Sequence, residues 1–149
     1  MWKQIGRTSL FIVAIGLSAF PVDAQRAAAA DSTGIRQAAL DYIEGWYEGN
    51  AQRMERALHP GLAKRIVVTE NGRSRLDHMG AEQLIRGTAS GGGKRTPPAQ
   101  RRTDVRILDI YGNAASVRID ATDWVDYLQL AKTNGQWAIV NVLWELRPR

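Results

Sequence analysis

The sequence predicts an α+β domain in which amino-terminal helices pack on one face of a curved antiparallel sheet. Apolar residues recur at helical spacing from Ile35 onward, whereas the runs after residue 103 alternate with period two and are joined by Gly-Asn and Asn-Gly turn pairs. Helices first and an antiparallel meander afterwards bury their apolar faces against each other in two layers. The 149 residues, less an amino-terminal leader, suffice for one hydrophobic core and are too few for two ordinary domains.

The leader is residues 1–24. Lys3 and Arg7 form a charged start, Leu10 to Phe20 an apolar run, and Val22-Asp23-Ala24 a small-residue cleavage site, so a signal peptide cut after Ala24 is expected. The apolar run falls short of the roughly 20 residues a membrane-spanning helix needs, and Pro21 breaks it before the site. The protein is therefore expected to be secreted or periplasmic, with no stable membrane anchor after cleavage. The chain has no cysteine, which excludes both a lipid-anchored amino terminus and a disulfide-stapled scaffold. Loss of Lys3, Arg7 and Asp23 takes the formal charge from +5 to about +4, a mildly basic domain. Both phenylalanines leave with the leader, so every remaining aromatic is a Tyr or Trp, with a polar handle that suits a half-wet cavity as well as a core.

Residues 25–32 read as an alanine-rich, flexible lead-in, and residues 33–149 as the domain. Ile35, Ala39, Tyr42, Ile43 and Trp46 form the apolar face of a first helix, which Asp31, Ser32 or Thr33 can cap and Gly49-Asn50 ends. Gly45 inside it marks a close packing contact. Asn50 caps a second helix, Ala51 to about Leu58, with Met54, Ala57 and Leu58 inward and Pro60 closing it. Lys64 to Thr69 and Ser74 to Asp77 read as a hairpin around Asn71-Gly72. Gly80 to Ala89 is a third helix with Leu84 and Ile85 inward. Residues 90–103, with three consecutive glycines, two prolines and several cations, form a mobile loop. Four strands follow: Asp104 to Tyr111, Ala114 to Ala121, Trp124 to Lys132 and Trp137 to Leu146.

That order of elements resembles the nuclear-transport-factor-2-like superfamily, a cone-shaped fold that includes ketosteroid isomerases, polyketide cyclases and limonene epoxide hydrolases. The segments Tyr42 to Asn50, Ala57-Leu58-His59-Pro60, Trp124 to Leu128 and Gly135 to Asn141 are similar to its SnoaL-like branch labelled putative lumazine-binding. The resemblance covers residues 33 to 147 and implies a pocket between the long helix and the concave sheet face. It names no reaction, because this fold hosts enzymes, binding proteins and structural partners alike.

Tyr42 and Trp46 lie four apart on the buried helix face, and alternation puts Trp124, Asp126 and Leu128 on one strand face and Trp137, Ile139, Asn141 and Leu143 on one face of the next. If those faces are concave, Trp46, Trp124, Trp137 and Asn141 bind a ligand, and an enclosed Asp126 carboxyl is suited to proton transfer with Tyr42 as hydrogen-bond donor. The alternative buries Val125, Tyr127, Val140, Val142 and Trp144 and leaves Asp126 to pair with Arg118 across strands. His59 sits where the resemblance implies a catalytic acid or base, although a histidine also suits an ordinary helix end.

No cofactor and no metal site are expected: the two histidines stand nineteen positions apart without a carboxylate cluster. Gly91-Gly92-Gly93-Lys94-Arg95-Thr96 departs from a phosphate-binding loop at Thr88 and Arg95, and reads as a solvated loop or a lid. The cations around it lack interleaved aromatics, so nucleic acid is not an expected partner. The sequence leaves three readings: a domain binding a small, partly apolar molecule; a proton-transfer enzyme of isomerase, dehydratase or cyclase type; and a homodimeric interaction module joined through the sheet face by Trp144 and Tyr127.

Overall fold

The computed structural model describes residues 22–148, with side chains from residue 24 onward. The leader is thus outside the described residues except for its last three positions. Three helices, α1 (Val22–Glu48), α2 (Ala51–Ala57) and α3 (Ala81–Ala89), cover one face of a six-stranded sheet. Its strands are β1 (Leu58–Glu70), β2 (Arg73–Met79), β3 (Asp104–Tyr111), β4 (Ala114–Asp120), β5 (Trp124–Thr133) and β6 (Gln136–Leu146). They lie in the order β2-β1-β6-β5-β4-β3. The α+β reading holds, with one change: β1 runs parallel to β6, so the sheet is mixed, while all other neighbours are antiparallel.

Helix α1 packs Ile35, Ala39, Tyr42, Ile43 and Tyr47 into the core. Residues 25–32, expected as a lead-in without secondary structure, continue the helix, with side chains 24–30 exposed. Alanine's high helix propensity favours this. Ser32 and Thr33 donate back to the carbonyls of Ala28 and Ala29 at 3.0 and 2.9 Å, so they sit inside the helix and do not cap it. Gly49, at φ 66°, ends it. Asn50 caps α2 by accepting from the Arg53 amide at 3.1 Å. A Cβ on Gly45 would stand 3.0 Å from Arg53 Cβ, the close contact that lets α1 and α2 fold back on each other.

The hairpin turns at Asn71-Gly72 and Asn134-Gly135 have positive φ at both residues, as type I′ turns require. Strand β1 extends beyond the predicted stretch because the chain pairs with β6 from Leu58 on. Strand β6 carries a bulge at Val140: Leu130 faces Ile139 while Gln129 faces Asn141. The bulge turns Trp137 and Ile139 inward before it, and Val142 and Trp144 inward after it. Residues 90–103 form two 3-10 turns, Gly92–Arg95 and Pro98–Gln100, and Gly93 is buried. Glycine is required at 92 and 93, because a Cβ on either would collide with Trp46. None of the described helices is long and apolar enough to cross a membrane.

Candidate functional site

Between α1, α3, the glycine-rich loop and the inner sheet face lies a cavity of about 1160 Å³ that opens to solvent. Its apolar wall comes from Trp46, Met54, Met79, Leu84, Trp124 and Trp144, and its polar groups include Tyr42, Lys64, Gln83, Thr96 and Gln100. Arg95, Arg147 and Asp123 also line it. Arg147 is committed to the Asp120 carboxylate at 2.7 Å and the Ala121 carbonyl at 3.1 Å. The loop supplies Gly92, Arg95, Thr96 and Pro97 to the wall.

Tyr42 and Lys64 in the cavity wall belong to a polar cluster built on Asp126 behind it. Asp126 on β5 is fully buried, and its Oδ1 accepts from Lys64 Nζ at 2.8 Å and from Tyr42 Oη at 3.2 Å. Its Oδ2 accepts from Trp124 Nε1 at 2.6 Å. Lys64 also donates to Tyr42 Oη at 2.6 Å, and its ammonium lies 4.7 Å from the centre of the Trp144 ring. Every buried side-chain polar atom among the described residues has a partner. Burial pushes the Lys64 pKa down, and the neighbouring Asp126 carboxylate offsets part of that fall. Burial, reinforced by the Asp126 charge, pushes the Tyr42 phenol well above its ordinary value, so it stays a proton donor.

The predicted residues divide. Tyr42, Trp46 and Trp124 line the cavity, and Asp126 stands directly behind Tyr42 and Trp124. Asp126 pairs with Lys64, while Arg118 instead holds Asp120 at 2.9 Å and Tyr127 Oη at 3.1 Å. Asn141 does not line the cavity. The bulge at Val140 puts it on the outer sheet face, where it accepts from Arg65 at 2.8 Å and donates to Gln129 at 3.1 Å. Trp137 is also outside the cavity: it is a core residue packed on Gly34, and its Nε1 donates to Asp31 at 3.0 Å. His59 lies on β1 away from the cavity, with Nδ1 accepting from the Gly61 amide at 3.0 Å. The structure therefore does not bring His59 together with Asp126 and Tyr42. Trp144, exposed in the dimer reading and buried in the alternative strand phase, is half-buried in the cavity wall. No group of three metal-ligating side chains occurs among the described residues.

Sequence reasoning missed Lys64. A signal existed: Lys64 has the same strand parity as Ile66, so alternation turns it to the inner face with its apolar neighbour. The bulge lets Trp137 and Ile139 of one phase and Val142 and Trp144 of the other all face inward, which a strict period of two cannot anticipate.

Residues 30–145 match the family model described as Putative lumazine-binding. No curated protein matches the chain. Among solved structures, an NTF2-like protein of unknown function from Shewanella baltica OS155 is 22% identical, with a TM-score of 0.65 over 81% of this chain and 97% of that one. An NTF2-like protein with a cystatin-like fold from Novosphingobium aromaticivorans is 12% identical, with a TM-score of 0.63 over 88% and 92%. A third, of unknown function, from Methylobacillus flagellatus KT, is 20% identical, with a TM-score of 0.59 over 87% and 96%. At these identities the structural likeness speaks for the fold alone, and the family match covers most of the sequence. The chain belongs to the Putative lumazine-binding family and has an NTF2-like fold.

Proposed function

We propose that this domain binds one small, partly apolar molecule inside the cone and acts outside the cytoplasm. The observation that carries the reading is the open cavity of about 1160 Å³, walled by three tryptophans and floored by polar groups already satisfied by one another. Apolar clefts with a few fixed polar groups are the usual form of small-molecule sites. The family's name makes lumazine one member of a suitable test panel. Titration of a panel of small aromatic and aliphatic compounds, read by tryptophan fluorescence, should give saturable one-site quenching by some of them. Met79→Trp, which fills the cavity wall, should weaken it. Quenching unaffected by that substitution would place the ligand elsewhere.

Export is supported by the three-part leader. Amino-terminal sequencing of the protein recovered from the extracytoplasmic fraction should begin at Gln25, and recovery of full-length chain in the cytoplasm would refute it. A second copy docking on the outer sheet face is supported by two exposed cross-strand apolar pairs, Tyr127 with Leu143 and Val67 with Leu76. Sedimentation of wild type and Tyr127→Asp/Leu143→Asp should show a dimer dissociating to monomer, and a monomeric wild type at high concentration would refute it.

A further inference from the structure

We infer that Lys64 is a reactive amine, placed in the cavity wall to condense with the carbonyl carbon of a small, partly apolar aldehyde or ketone and form a protonated imine. This names a substrate class for the proposed site and rests on that reading.

Three lysines follow the leader, and they stand in different surroundings. Lys94 is exposed, and Lys132 on β5 is held by Asp31 at 2.6 Å. Lys64 alone lines the cavity, with 7% of its side chain exposed. A desolvated lysine in an apolar pocket is the form of the side chain that acts as a nucleophile, because burial favours the neutral amine. Burial does lower its proton affinity here. A buried ion pair is also a poor way to stabilise a fold, since apolar residues of similar volume often serve as well or better. A lysine and carboxylate kept in a cavity wall therefore call for a role beyond packing.

The neighbours provide the proton path. Lys64 Nζ passes one proton to Asp126 Oδ1, 2.8 Å away, leaving a neutral amine and a neutral acid. The nitrogen lone pair attacks the carbonyl carbon, and the π pair moves to oxygen. Tyr42 Oη, 2.6 Å from Nζ and 3.2 Å from Asp126 Oδ1, lines the cavity and relays a nitrogen proton to that oxygen, giving a carbinolamine. The Asp126 proton then reaches the hydroxyl through Tyr42, the carbon–oxygen bond breaks, water leaves, and the nitrogen lone pair closes the C=N bond. Ammonium plus carbonyl thus become protonated imine plus water: of three ammonium protons, one stays on nitrogen and two leave in the water. Nitrogen carries one positive charge both before and after the reaction, so the Asp126 carboxylate has a cationic partner in the free and in the imine state.

The test uses cinnamaldehyde with sodium cyanoborohydride, which reduces an imine to a stable amine, followed by intact mass measurement and peptide mapping. Cinnamyl alcohol, which cannot condense, is titrated in parallel by tryptophan quenching. One adduct per chain on Lys64 is expected, formed at least about tenfold faster than on Lys94. Tyr42→Phe should slow it by about a hundredfold, the usual effect of losing a positioned proton donor. Lys64→Arg keeps the positive charge opposite Asp126 and should abolish the adduct while preserving the circular dichroism spectrum. Quenching by the alcohol with no preference for Lys64 in the adducts overturns the amine inference and leaves ligand binding standing. Absence of both quenching and a Lys64 adduct counts against both.

Discussion

Asp126 has no exposed surface and accepts three hydrogen bonds, from a lysine, a phenol and an indole. Asp126→Asn removes the counter-charge from a lysine that remains buried, and should cost about 3–5 kcal/mol by urea denaturation. Lys64→Met combined with Asp126→Leu removes both charges and should recover most of that loss, because the desolvation penalty disappears with the pair. Tyr42 and Asp126 were legible as candidates because a polar residue in phase with apolar ones is costly in a dry core. Lys64 follows the same rule on β1, but the adjacent Arg65 makes the pair look like a solvated basic stretch in sequence. His59 illustrates the converse: its position at the end of α2 suggested chemistry, yet its ring turns back to its own backbone at Gly61.

Three carboxylates tie the elements together. Asp31 is held below its ordinary value by hydrogen bonds from Lys132 and then Trp137. Burial raises Asp41, but the guanidinium groups of Arg53 and Arg56 outweigh it and lower the net value. Asp120 is lowered by Arg118, against burial, with help from Arg147. Each binds a proton less readily in the folded than in the unfolded chain. Their contribution is therefore complete above the ordinary value of 3.8 and is lost as pH falls through it toward the lower folded values. Acid denaturation followed by fluorescence should steepen below about pH 4, and Asp120→Asn should flatten that fall. The glycine-rich loop makes a second element-scale prediction. Gly93→Ala drives a Cβ into the Trp46 backbone and should cost about 1–3 kcal/mol, the range for overpacking, as read from the thermal midpoint and the matching urea curve. The loop's glycines looked like a sign of mobility. Close approach to Trp46 accounts for two of them instead.

For the whole molecule, the α+β class, the three helices and the carboxy-terminal meander were legible, because amphipathic period and turn chemistry are local. The parallel pairing of β1 with β6 was not, since it joins segments more than seventy residues apart. The bulge at Val140 had the largest consequence for function. It combines both strand phases, with Trp137 inward in the core before it and Asn141 outward and Trp144 in the cavity wall after it, so the site joins Tyr42, Trp46, Lys64, Trp124 and Trp144. The fold thus sets an amphipathic cavity over a self-satisfied polar cluster, with the glycine-rich loop as one wall. The most direct test is an equilibrium fluorescence titration of the mature domain and its Met79→Trp variant against a chemically diverse panel of small aromatic and aliphatic molecules. The account predicts saturable, one-site quenching by partly apolar members of the panel, weakened by the cavity-filling substitution. No saturable response from any member would contradict it.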